Sequence, residues 1–236
     1  MHDTEQFEKI PFGVVNDYTN LFHASKNDKF LNQLRTRADK EHVSVVTPNV
    51  ARLLEILVTL HQPKCILELG TAFGVSAYHI LKGLQSSARF ITIDLVNERQ
   101  EIAKKFLHNE GLDEHQIVFK CEDFREKEYF ANLAAEYGLF DFVFIDAAKG
   151  QYSLILETLM PLTTDNAVIV FDNIFLNGWI IENSYPNHRQ KTAFIRMKQF
   201  LQNIKMDKRF INALLSFDDG VLVLIKKQEQ SNETEY

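Results

Sequence analysis

A chain of 236 residues with 45% hydrophobic and 25% charged side chains can bury one large α/β core, which excludes a disordered or fibrous polymer. A net charge of −6 argues against a general nucleic-acid coat while leaving room for a local basic patch. Residues 1–13 lack the basic and apolar regions of a signal peptide, nothing approaches a membrane span, and the two cysteines make no disulfide framework. A cytoplasmic protein without membrane contact is expected, with Cys65 and Cys121 as buried thiols.

Residues 1–40 read as helical, with Phe22, Phe30, Leu31 and Leu34 at core-like spacing. Segment 48–60 is an amphipathic helix; Thr47 is a natural N-cap and Pro48 suits the first helical position. From there strands and helices alternate. Strands are predicted at 65–69, 90–94, 117–121, 140–146 and 167–172, with helices at 75–85, 98–110, about 129–137 and 153–159. A helix over 191–203 follows, then strands 210–217 and 221–226 around Asp218-Asp219-Gly220, a hairpin signal. Such βα alternation predicts a doubly wound parallel sheet of seven strands with an antiparallel edge. No repeat, linker or second domain interrupts residues 1–236, and the polar stretch 228–236 reads as a frayed tail.

The first strand runs into Glu68-Leu69-Gly70-Thr71-Ala72-Phe73-Gly74-Val75-Ser76. Its glycines permit a tight strand-to-helix turn and close backbone approach to a ligand, whose negative group the helix amides would meet. Asp94, twenty residues after Gly74 at the end of the second strand, is placed for ribose hydroxyls. The nicotinamide-dinucleotide fingerprint is absent, since Ala72 and Val75 stand where glycines belong, and there is no phosphate loop of the GxxxxGK type. Glu68 would repel a pyrophosphate but suits a cation, and Ser76 suits a carboxylate. A ligand with a ribose, an amino-acid end and positive character fits S-adenosylmethionine.

Two further strands end in acids: Phe144-Ile145-Asp146-Ala147-Ala148-Lys149 and Phe171-Asp172-Asn173. Ligands of open α/β sheets bind beyond the carboxyl ends of the strands, so Asp146, Asp172 and Asn173 would surround one point. Three hard oxygen donors suit Mg²⁺ better than zinc. Lys149 would then reach a proton on whatever the metal holds.

These segments, with Thr92-Ile93-Asp94, Cys121-Glu122-Asp123-Phe124 and Asp219-Gly220, agree in order and spacing over residues 40–227 with a known family. The chain resembles the Mg²⁺-dependent catechol and caffeoyl-CoA type O-methyltransferases. Within that family, the run Asp146–Tyr152 looks most like the bacterial tRNA 5-hydroxyuridine methyltransferases. Many small-molecule members instead carry a second Asp where this chain has Ala148.

The resemblance implies a Rossmann-like class I methyltransferase fold with extra N-terminal helices, a homodimer, and the following roles. Asp146, Asp172 and Asn173 bind the metal, and Lys149 is the catalytic lysine. Glu68, Gly70, Thr71, Ser76, Asp94, Asp123, Phe124 and Asp146 line the cofactor site, with Asp123 facing the adenine. Tyr152 matches an aromatic position near the cofactor. Val45 and Val46 belong to a lid within residues 1–47 that closes over the methionine end of the cofactor, ahead of a core at 48–227.

Under that resemblance 5-hydroxyuracil chelates the metal as a catechol does, through its hydroxyl and neighbouring carbonyl. Lys149 in its neutral form takes the proton, and the oxygen attacks the sulfonium methyl. Arg35, Arg37, Lys40, Arg189, Lys191, Arg196 and Lys198 are the candidates for phosphate contacts with an anticodon loop, or are ordinary solvated charges. Trp179 either stacks on a planar substrate or covers the core, while His42 and His79 are read as structural. A free catechol-like or phenolic metabolite is the alternative substrate. An NAD(P)-dependent oxidoreductase is disfavoured by the missing fingerprint, and a non-catalytic binding module by the intact acid–lysine set.

Overall fold

Apolar runs that stop at an acid, a glycine or a turn become strands, and a computed structural model, describing residues 11–24, 28–112, 117–123 and 127–228, shows how they associate. β1 (Cys65–Leu69), β2 (Arg89–Asp94), β3 (Ile117–Cys121), β4 (Phe140–Ile145) and β5 (Thr163–Phe171) are parallel; β6 (Phe210–Leu215) and β7 (Val221–Lys226) form the antiparallel hairpin. The strand order is β3-β2-β1-β4-β5-β7-β6, the seven-stranded doubly wound arrangement expected. Its direction of winding reverses between β1 and β4, the crevice where such sheets bind ligands.

The helices are α1 (Phe12–His23), α2 (Lys29–Lys40), α3 (Pro48–His61), α4 (Val75–Gly83), α5 (Asn97–Asn109), α6 (Lys127–Tyr137), α7 (Tyr152–Leu159), α8 (Trp179–Glu182) and α9 (His188–Met206). Strand alternation divides the core. Leu67, Leu69, Val143, Ile145, Ile169 and Phe171 face one layer; Ile66, Phe90, Phe142, Phe144 and Val170 face the other. Both faces of β4 are closed, with Phe142, Val143, Phe144 and Ile145 at 0% exposure. Truncating either phenylalanine to Ala would cost about 3–5 kcal/mol. A central strand so fixed is a rigid mount for whatever follows it.

Some boundaries differ from the prediction. β5 starts at Thr163, ahead of an exposed Asp165-Asn166 kink where Asn166 takes φ 62° and the pairing with β4 shifts register. α9 begins at His188 because the Asn187 side chain accepts from the Arg189 amide at 3.0 Å. Phe22 and Phe30 are exposed rather than core residues, and α1 buries none of its side chains. Cys65 is buried, but Cys121 is exposed, because it ends an edge strand that, among the described residues, pairs with β2 alone. Trp179 packs partly buried against the core.

Thr47 caps α3 as expected, accepting from the Val50 amide at 3.4 Å. It also donates to Asp218 in the β6–β7 turn. Asp218, held at φ 48°, accepts from Asn16 and Asn20 of α1 at 2.7 and 2.6 Å and returns its own amide to Asn16. Two distant parts of the chain are thereby fastened at the lip of the sheet. Among the described residues no helix is long and apolar enough to cross a membrane.

Candidate active site

The carboxyl ends of β1, β2 and β4 open into a cleft of about 550 Å³. Gly70, Asp94, Asp123, Asp146 and Lys149 lie on its wall, as the sequence predicts. Gly70 takes φ 108°, and a Cβ there would stand 2.7 Å from the Asp146 carbonyl oxygen. Only glycine lets the β1 turn lie this close to the end of β4. Asp94 is buried at the end of β2; its two carboxylate oxygens accept from the Ala72 and Val96 amides at 2.8 and 2.9 Å. Each oxygen keeps a lone pair for a hydroxyl in the cleft.

Beneath the glycine turn is a buried polar network. Thr92 donates to Glu68, Thr71 and Thr92 share a hydrogen bond of 2.6 Å, and Gln100 donates to Thr71 at 3.1 Å and to the Lys120 carbonyl at 2.9 Å. Glu68, Thr71 and Ser76 sit in this layer, buried behind the cleft wall. Glu68 is wholly enclosed, and burial pushes its carboxyl up to about 7. Hydrogen bonds from Ser76 and Thr92 draw it back down in part. Enclosed behind the wall, Glu68 reaches the cleft only through the Thr92–Thr71 link to the glycine turn, whereas the sequence predicts it on the lining of the cofactor site.

One residue past β4 and β5 stand Asp146 and Asp172, with Asn173 following. Burial raises the carboxyl of Asp146; burial and the nearby Asp146 charge raise that of Asp172. Asn173 adopts φ 54°, tolerable for asparagine, and its amide donates to Asp172 Oδ1 at 2.7 Å. Lys149 donates to Asn173 Oδ1, and its Nζ lies 3.7 Å from Asp146 Oδ1. An ammonium thus rests among the three predicted metal-binding side chains. Two confined carboxylates and an amide oxygen, gathered around the Lys149 side chain, are a donor set suited to a hard divalent ion.

Other predicted residues fall elsewhere. Tyr152 is 1% exposed, packed on Phe171 and Phe200, with its hydroxyl donating to the Asp172 carbonyl at 2.8 Å. It supports the acid site from below instead of touching a cofactor, because α7 turns its ring into the core. Val46 is buried, and its carbonyl accepts from Arg35 at 2.6 Å. Arg35 is therefore committed to the lid segment, and burial lowers its pKa, so it is no phosphate contact. The lid residues on the cleft are His42, Val43 and Ser44, upstream of the predicted Val45 and Val46. His42 at φ 53° lies on the cleft wall, whereas His79 is buried against Glu55 at 2.9 Å. Phe124 lies outside the described residues. Arg99 and Gln151 also line the cleft; Gln151 falls within the Asp146–Tyr152 run without a role assigned to it, and Arg99 has no motif to mark it.

Comparison with known proteins agrees with this geometry. The O-methyltransferase family profile matches residues 22–228, and the chain belongs to that family. It is similar to the catechol O-methyltransferase of Niastella koreensis, 27% identical over 175 residues that cover 73% of this chain and 78% of the other. The fold is shared with an O-methyltransferase from Bacillus cereus solved with S-adenosylhomocysteine (TM-score 0.76, 22% identity, 91% and 97% covered). It is also shared with the O-methyltransferase of tomaymycin synthesis from Streptomyces achromogenes solved with S-adenosylmethionine (TM-score 0.74, 22% identity, 91% and 96% covered).

Proposed function

We propose that this O-methyltransferase transfers the methyl group of S-adenosylmethionine, with Mg²⁺ bound, to the 5-hydroxyl of 5-hydroxyuridine in tRNA. The observation that carries the reading is the meeting of Asp146, Asp172, Asn173 and Lys149 at one end of the cleft. Asp146, Asp172 and the Asn173 side-chain oxygen would hold the metal. Bound there, a divalent cation makes a neighbouring hydroxyl more acidic. The cofactor supplies the methyl on a positively charged sulfur. Asp94 would accept from its ribose hydroxyls, and Glu68 would act from behind the wall through Thr92 and Thr71. Lys149, in its neutral form and beside the oxygens that would orient the substrate, is the group to accept the hydroxyl proton.

The RNA substrate is supported by the turn after β4. Ala148, at φ 51°, brings a methyl where many small-molecule enzymes carry a carboxylate, which leaves the rim less hostile to phosphate. Arg189 and Lys191 stand exposed at the start of α9. Cytoplasmic tRNA would be the substrate pool. A homodimer fits the apolar side chains of Val14, Tyr18, Leu21 and Phe22 that α1 leaves exposed. A catechol-like metabolite is the second reading, favoured by the likeness to the Niastella enzyme.

Nucleoside mass spectrometry of bulk tRNA from cells with and without the gene tests the proposal. Loss of 5-methoxyuridine derivatives with accumulation of 5-hydroxyuridine is the expected result. An unchanged tRNA profile would turn the assignment to the metabolite.

A further inference from the structure

A second groove of about 550 Å³ runs between α7 and α9. It meets the cleft at Lys149 and Gln151, which line both. Its lining is largely apolar, with half-exposed Leu154 and the buried Phe200, and it also carries Ser153, Gln199 and Arg196. Gly150 lies at the junction against α9, where an added Cβ would make ordinary contact with Ala193 at 3.6 Å. Among the described residues Arg196 makes no ion pair; its guanidinium only reaches the Gly150 carbonyl at 3.5 Å. The one acid in the groove, Glu157, is taken by Arg209 at 2.6 Å. An apolar shelf beside one uncommitted cation, continuous with the proton-accepting lysine, matches a nucleobase face joined to a phosphodiester.

We infer that this groove seats the nucleotide next to the methylated base, its base on Leu154 and its phosphate on Arg196. The inference rests on the RNA reading above. A base in the cleft has to leave along its ribose-phosphate chain, and the groove offers that chain a bordering channel with a free positive charge. A substrate without flanking phosphates would leave the groove unused.

Methyl transfer should be measured on two substrates, the free 5-hydroxyuridine nucleoside and a short single-stranded RNA with one central 5-hydroxyuridine. In Arg196→Ala the KM for the RNA should rise about tenfold with kcat nearly unchanged, and its salt slope should fall by about one. Nucleoside kinetics should not move, and Arg196→Lys should recover part of the loss. Leu154→Ala, at a half-exposed position, should weaken the RNA alone. Equal KM for the RNA in wild type and Arg196→Ala, or an equal rise for both substrates, would overturn the groove assignment while leaving RNA methylation standing. Wild-type protein that methylates a catechol but never the RNA would overturn both.

Discussion

The Tyr152 hydroxyl, enclosed on all sides, donates to the main-chain carbonyl of Asp172 at 2.8 Å. It holds from below the backbone whose side chain faces Asp146. In Tyr152→Phe that carbonyl loses its buried donor. A loss of about 1–2 kcal/mol in urea unfolding is expected, together with weaker Mg²⁺ binding by calorimetry. Unaltered Mg²⁺ affinity would show that the bond is structural only.

Asp172 itself should trade stability against activity. Because its carboxyl is raised by burial and by Asp146, the unfolded chain releases that proton first, and stability drains as pH climbs from the ordinary carboxylate range. Asp172→Asn removes that drain. It is expected to be more stable than the parent, by about 1 kcal/mol or more at pH 8 and by little at pH 4. Turnover should nevertheless fall at least about 100-fold if Asp172 holds the metal as proposed, since removing a ligand costs more than removing its supporting partner. Full turnover of this variant in the presence of a chelator would end the metal mechanism.

Glu68 gives a pH signature of the same sign. With its carboxyl raised to about 7 in the fold and near 4.5 in the unfolded chain, it binds a proton between those values only when folded. Stability of the ligand-free protein should decline across that window by up to roughly 3 kcal/mol. Chemical unfolding of Glu68→Gln at a series of pH values should lack this slope. S-adenosylhomocysteine should bind Glu68→Gln only modestly more weakly in calorimetry, since the carboxyl reaches the glycine turn through Thr92 and Thr71.

At Gly70 a single methyl group is expected to be enough. Gly70→Ala forces an L-residue to φ 108° and drives its Cβ against the Asp146 carbonyl. A loss of roughly 1–3 kcal/mol in thermal unfolding should accompany reduced S-adenosylhomocysteine affinity. Gly13→Ala, where the added Cβ meets nothing within 4 Å, is the matched control.

Much of this architecture was legible in the sequence. Strand periodicity with abrupt acidic stops located Asp94, Asp146 and Asp172, because a buried strand must be apolar until it reaches the rim. Legibility ended where position depends on packing between elements. Tyr152 is an aromatic beside a catalytic turn, and nothing local indicates whether its ring points to the cleft or the core. Cys121 follows an apolar run, yet its strand has a neighbour on one side alone. Gln100 looks like any helical polar residue, although it is 1% exposed and ties β2 and β3 to the glycine turn. A polar side chain on the sheet-facing stripe of α5 was the available signal. His42 to Ser44 reach the cleft through a chain reversal at positive φ that no turn motif announces.

The fastening of Thr47 and α1 to Asp218 bears on how the protein is made. Asn16 and Asp218 are separated by 202 positions along the chain, so their contact closes nearly the whole molecule into a loop. A ribosome must have delivered the β6–β7 hairpin before α1 and the cap of α3 can be pinned to it. Until then Asn16, Asn20 and Thr47 lack the carboxylate that gathers them. Removing the last two strands would therefore unfasten the N-terminal helix from the far end of the sequence.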